Sequence, residues 1–109
     1  MAKAKYWHKG SSIDFVNSTG EVIEANTIVV FGSHVGIAGT DIGVGETGTL
    51  VMEGVFKMPK GSVAISAGDN VYFNAESGTI TKTTTDTPAG YAVAEAGTSE
   101  MEVLVKLAG

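Results

Sequence analysis

Cysteine and arginine are both missing from this 109-residue chain, proline and histidine occur twice each, and aromatic residues make up only 7% of it. Without cysteine no disulfide can brace the fold, and His8 and His34 supply no ligand pair at helix or hairpin spacing, so no metal site is expected. A chain this short has room for one domain with one modest core. Small folds that lack disulfides and metals compensate by packing against other subunits, so oligomerisation is the device left. Seven lysines stand against twelve acidic residues, for a net charge of −5. That acidic balance, with no arginine to grip phosphates or base edges, excludes nucleic acid as an expected partner. No apolar run approaches the roughly twenty residues that span a bilayer, and the lysine-bearing start lacks a signal-type apolar region. The expectation is an intracellularly made protein with no membrane partner, in which Asn17-Ser18-Thr19 is a turn rather than a glycosylation site.

What the chain does have is glycine, fifteen residues of it, interspersed with asparagine, aspartate and serine between short β-branched runs. This is the pattern of short strands and tight turns, and it predicts an all-β fold, a small pseudo-duplicated barrel or sandwich. Strands are expected at Ile13–Val16, Glu21–Glu24, Thr27–Phe31, Val35–Ala38, Gly48–Glu53, Val55–Met58, Val71–Asn74, Gly78–Lys82, Tyr91–Ala94 and Met101–Leu107. The last has the clearest alternation, with Met101, Val103, Val105 and Leu107 expected on one face and Glu102 and Lys106 on the other. The duplication is visible directly. Ile23–Glu53 returns without a gap forty-two residues later as Ile65–Glu95, with eight of thirty-one paired positions identical. The identities are Ile23/Ile65, Ala25/Ala67, Val29/Val71, Phe31/Phe73, Gly36/Gly78, Gly48/Gly90, Val51/Val93 and Glu53/Glu95. Apolar anchors and turn glycines repeat, not reactive groups, so the repeat describes a scaffold. Two copies suit one closed domain, residues 13–109, preceded by an N-terminal arm over residues 1–12.

Few residues point to chemistry. Gly43-Val44-Gly45-Glu46-Thr47-Gly48 spells a dinucleotide-binding pattern, but the strand-like run Thr49–Phe56 follows it instead of a helix, so its glycines are read as turn residues. There is no G-x-S-x-G elbow, and no catalytic residue or cofactor is expected. Val55-Phe56-Lys57-Met58 is similar to the lysine-bearing hairpin of biotinyl and lipoyl carrier domains, which makes modification at Lys57 the alternative function. A phage tail or fibre subunit would share the composition. Phe56, Met58 and Pro59 fit either packing inside the domain or a subunit contact. Lys3, Lys5 and Lys9 concentrate three of the seven positive charges in the arm, beside Tyr6, Trp7 and His8.

Taken together these segments resemble the bacteriophage capsid cement, or head decoration, proteins, and the likeness runs along essentially the whole chain. It is carried by Met1–Lys5 leading to Gly10–Phe15, by Thr40-Asp41-Ile42 and Gly45–Gly48, and above all by Glu53-Gly54-Val55-Phe56-Lys57-Met58-Pro59-Lys60. Gly68–Phe73, Gly90–Ala94 and Val103–Gly109 complete it. Tyr6-Trp7-His8 is more aromatic than the usual arm, and Lys106 replaces a frequent arginine. The resemblance implies a non-enzymatic protein on the outer surface of a phage head in the virion, made in the bacterial cytoplasm. It implies the major capsid protein as partner and homotrimers near local threefold axes that hold the expanded capsid. On that resemblance, Lys3, Lys5, Tyr6, Trp7, His8, Phe56, Met58 and Pro59 are the expected capsid or subunit interface, with Tyr6 and Trp7 as anchors.

Overall fold

The short β-branched runs become nine strands in the computed structural model, which describes residues 2–5 and 11–107. They are β1 (Ser12–Val16), β2 (Ile28–Phe31), β3 (His34–Ala38), β4 (Thr47–Val51), β5 (Val55–Pro59), β6 (Asn70–Asn74), β7 (Thr79–Thr81), β8 (Thr87–Ala92) and β9 (Glu102–Leu107). No helix occurs among the described residues, so the fold is all-β as expected. One antiparallel sheet has the order β1-β4-β3-β2 and the other β5-β9-β8-β6-β7. The second curls into a half-barrel, and a parallel bridge from Lys60, just past β5, to Ile80 of β7 draws its two edges together.

The two sheets are copies of one unit. β1, β4, β3 and β2 take the places of β5, β9, β8 and β6, while β7 is an addition in the second copy. Individual backbone hydrogen bonds repeat as well. The Asn17 amide donates to Glu46 O as Lys60 donates to Met101 O, and Met52 donates to Ser11 O as Leu107 donates to Gly54 O. Ala38 donates to Thr27 O and accepts from Asn26, as Ala92 donates to Asp69 O and accepts from Gly68. The gapless spacing of forty-two therefore holds from Ile23/Ile65 to Phe31/Phe73, after which matched positions such as Ala38 and Ala92 lie fifty-four apart. The reason is the added β7 hairpin and the loop behind it, which displace everything downstream. The later sequence identities, Gly36/Gly78 to Glu53/Glu95, fall at different places in the two sheets.

One local unit recurs four times and sets the strand entries. A bridge residue is followed by a β-turn closed by its i to i+3 hydrogen bond, at Glu24–Thr27, Gly43–Glu46, Ser66–Asp69 and Gly97–Glu100. Asn26, Gly45 and Gly68 hold positive φ at the third position, as a type II turn requires. Glu46 and Asp69 brace their turns from the fourth position by accepting from the Gly43 and Ser66 amides. The bridge residues then pair within each copy, Ile23 with Ile42 and Ile65 with Ala96, through reciprocal backbone hydrogen bonds.

Alternation along the strands gives each copy its own core. Inside the second copy, Met58, Ile65, Val71, Phe73, Val105 and Leu107 are buried with their neighbours. Inside the first, Val29, Ala38, Ile42, Leu50 and Met52 form a smaller cluster, flanked by half-buried Ile13, Phe15 and Ile23. The opposite face of the first sheet is also apolar. Val35, Ile37, Ile28 and Val51 leave that small cluster behind and pack into the open side of the second copy, completing the larger core. The first copy is thus a plug seated by its back in the mouth of the second.

Three strand expectations differ. Glu21–Glu24 supplies one bridge residue, Ile23, because the turn starting at Glu24 ends it. β8 starts at Thr87, four residues before the expected Tyr91, and takes in Pro88, which is accommodated where a register shift leaves Ala89 without a partner in β6. Met101 lies outside β9 and is 68% exposed, so only Val103, Val105 and Leu107 form the inward row.

Candidate functional site

No cluster of histidine, aspartate or glutamate suited to a metal occurs among the described residues. The glycine-rich Gly43–Gly48 segment is a β-turn running into β4, and the Glu46 carboxylate accepts the Gly43 amide that a pyrophosphate would need. Lys57 lies in the middle of β5 opposite Leu104, so no hairpin tip presents it as a carrier arm. What the structure offers is surface, in three regions.

The first is the outer face of the second sheet. Val55 and Tyr91 both register with Lys106, and Lys57 registers with Leu104, whose carbonyl accepts the Val93 amide. Cross-strand neighbours share a face, so Val55, Tyr91, Val93 and Leu104 form an exposed apolar strip crossed by lysines. The Lys106 ammonium stands 5.9 Å from the Tyr91 ring centroid, a cation–π distance. At one end of the strip Lys57, Glu95, Glu100, Met101, Glu102 and Leu104 line a groove of about 400 Å3. Beyond Tyr91, on the β8 side, Asn70, Tyr72, Pro88 and Tyr91 line a smaller depression of about 250 Å3.

The second region is the mouth of the first copy. Phe31, 43% exposed, meets Phe15 edge to face with ring centroids 6.2 Å apart, although β2 and β1 are the opposite edges of their sheet. The third is the chain start. Lys3 and Lys5 are exposed and outside any strand, while Tyr6, Trp7 and His8 lie outside the described residues. Among the other expected interface residues, Pro59 is exposed at the end of β5 and Phe56 packs partly against the main core. Met58 is 1% exposed, so its side chain belongs to the core and presents nothing to a second subunit.

Two buried residues have a role that the sequence reading did not give them. Asn17 and Lys60 are the buried polar side chains among the described residues, and they are the same position in the two copies. Asn17 Nδ2 donates to Glu21 O and Ile42 O, and its Oδ1 accepts from Thr19, so the amide is enclosed in the turn expected there. Lys60 Nζ donates to Gly61 O and Val63 O. Each side chain fastens the segment leaving the first strand of its copy. The turn at Asn17 was legible, but no sequence signal marks the burial of either side chain, because asparagine and lysine are ordinarily solvated.

Neither the curated proteins nor the solved structures contain a match to this chain. The family comparison does find one, to the phage cement proteins, over residues 7–107. With nearly the whole chain matched and an all-β scaffold whose notable features are exposed faces, this protein belongs to the phage cement protein family, the structural proteins that decorate phage capsids.

Proposed function

We propose that the protein binds the outer surface of a phage head through the major capsid protein, as trimers at local threefold positions, and stabilises the expanded capsid. The family supplies the capsid. The observation that carries the finer reading is the place of β1, an edge strand directly continuing the arm, with its outer backbone groups unpaired within the sheet. An extended arm leaving such an edge can add to an edge strand of the capsid, with backbone hydrogen bonds supplying affinity. Lys3 and Lys5 supply positive charge on an otherwise acidic protein, and Tyr6, Trp7 and His8 supply aromatic anchoring. Pro59 adds an exposed contact on the domain itself.

Co-sedimentation with expanded heads and with unexpanded proheads, both stripped of this protein, tests the reading. Saturable binding to expanded heads is expected, and absence of binding to both would reject it. Trp7→Ala should weaken occupancy by roughly 2 kcal/mol, about thirtyfold, if the ring is a central anchor. Unchanged occupancy would remove the anchor role from Trp7 and leave the family membership intact.

A further inference from the structure

The junction between the two copies is left half-used at each end of the chain. Internally, the back of the first copy, through Ile28, Val35, Ile37 and Val51, fills the mouth of the second. Among the described residues the mouth of the first copy has no such plug, and the back of the second copy plugs nothing. The strand and hydrogen-bond correspondence shows what stands at the equivalent places. Ile37 and Val51 of the buried back become Tyr91 and Lys106 on the free back, Ile28 becomes Asn70, and Val30 becomes Tyr72. In the mouths, Phe73 and Ile65 of the filled one correspond to Phe31 and Ile23 of the open one, and Met58 corresponds to Phe15.

A back designed only for water would carry lysine, glutamate and threonine. This one carries Tyr72, Pro88 and Tyr91 around a depression, with Lys106 set over the Tyr91 ring. Tyrosine gives large contact area with a polar tip, which suits a surface that is wet in one state and covered in another. The internal copy of the junction is aliphatic because it is never exposed.

We propose that the back of the second copy in one protein seats in the open mouth of the first copy in the next, repeating between chains the junction already present within the chain. The occupant of the mouth is therefore a second copy of this protein, with Tyr91 and Tyr72 lying over Phe31 and Phe15. Such a contact is heterologous, and with a rotation of one third of a turn between successive copies it closes into the ring that a trimer needs. This deepens the trimer of the proposed function and rests on that part of it. Association is read here without capsids and capsid binding is read by co-sedimentation, so either can fail alone.

Sedimentation velocity of the full chain over a wide concentration range tests the proposal, with Phe31→Asp in the mouth and Tyr91→Asp on the back. The wild type should associate, and each variant should associate at least tenfold more weakly with an unchanged circular dichroism spectrum. An equimolar mixture of the two variants keeps one intact mouth and one intact back, so it should form a heterodimer and nothing larger. If either aspartate variant fails to fold, Phe31→Ser and Tyr91→Ser make the same comparison with a smaller perturbation. A wild type that stays monomeric overturns the proposal. So does a loss confined to Phe31→Asp with Tyr91→Asp neutral, which would indicate a mouth-to-mouth dimer. If deleting residues 2–10 abolishes association while Tyr91→Asp does not, the arm of a second copy fills the mouth and the proposal is again wrong.

Discussion

Phe31 and Phe73 stand at the same position of the duplicated unit, yet one is 43% exposed and the other 7%. Their strands and inward direction correspond, but the added β7 pairs outside β6 with Ile80 opposite Phe73, whereas β2 is the edge of its sheet. The difference arises from that added strand and from the back of the first copy, which covers the mouth of the second, while no described residue covers Phe31 in the same way. Burial in this protein is decided by what a position faces after the copies pack. Stability and recognition are divided accordingly, with the filled mouth supplying the main core and the open one supplying surface.

The largest test of this division is truncation at the paired phenylalanines. Phe73→Ala should cost about 3–5 kcal/mol, the usual loss for a buried ring, whereas Phe31→Ala should cost about 1 kcal/mol because much of its area is already wet. Urea unfolding at low protein concentration measures both, and equal losses would mean that the two mouths are equally filled. A sharper comparison uses the buried polar pair. Asn17→Ala empties a fully buried site, removes the bonds to the Ile42 and Glu21 carbonyls and takes the acceptor from the Thr19 amide, and should cost about 2–3 kcal/mol. Lys60→Met removes bonds only to Gly61 and Val63 and also relieves the burial of an ammonium, so its cost should stay under about 1 kcal/mol. The reverse order, read from urea midpoints, would show that Lys60 is the stronger tie.

The smallest effect concerns the turns. Asp69 accepts the Ser66 amide and sits 3.0 Å from Lys82 Nζ, and these partners hold its carboxyl below the ordinary value of 3.8. The matching residue in the first copy is Thr27, which has no charge to lose. A lowered pKa means that this stabilisation is present above the ordinary carboxylate range and is lost as pH falls through the folded-state value. Wild type should therefore melt slightly above Asp69→Asn at neutral pH, and the two melting curves should converge as pH falls below about 4. A gap that persists under acid would assign the effect to the amide geometry rather than the charge.

Much of the fold was legible because it rests on short-range patterns. Val103, Val105 and Leu107 alternate inward as read, and Gly45 and Gly78 sit in turns with positive φ, but Gly36, Gly48 and Gly90, read as turn residues, lie inside β3, β4 and β8. The repeat was legible only to Phe31/Phe73, because the added β7 hairpin breaks the spacing and the matched positions beyond it share few residue types. Met101 was misread since alternation alone does not mark where a strand begins. Of the expected interface residues, Pro59 and the two lysines of the arm are at the surface, while Met58 is enclosed. The apolar strip on the second sheet was invisible because Val55, Tyr91, Val93 and Leu104 come together only through strand pairing.

The sequence by itself determined the strand class, the turns, the acidic and arginine-free surface and the duplicated unit, since each depends on residue type at spacings of a few residues or on simple recurrence. Only the tertiary structure decided which apolar faces are core and which are surface. Ile37 and Tyr91 occupy matching strand positions, but one faces the interior of the other copy and the other faces solvent. That assignment is made by the stacking of the two copies, a long-range arrangement to which no single segment holds the key.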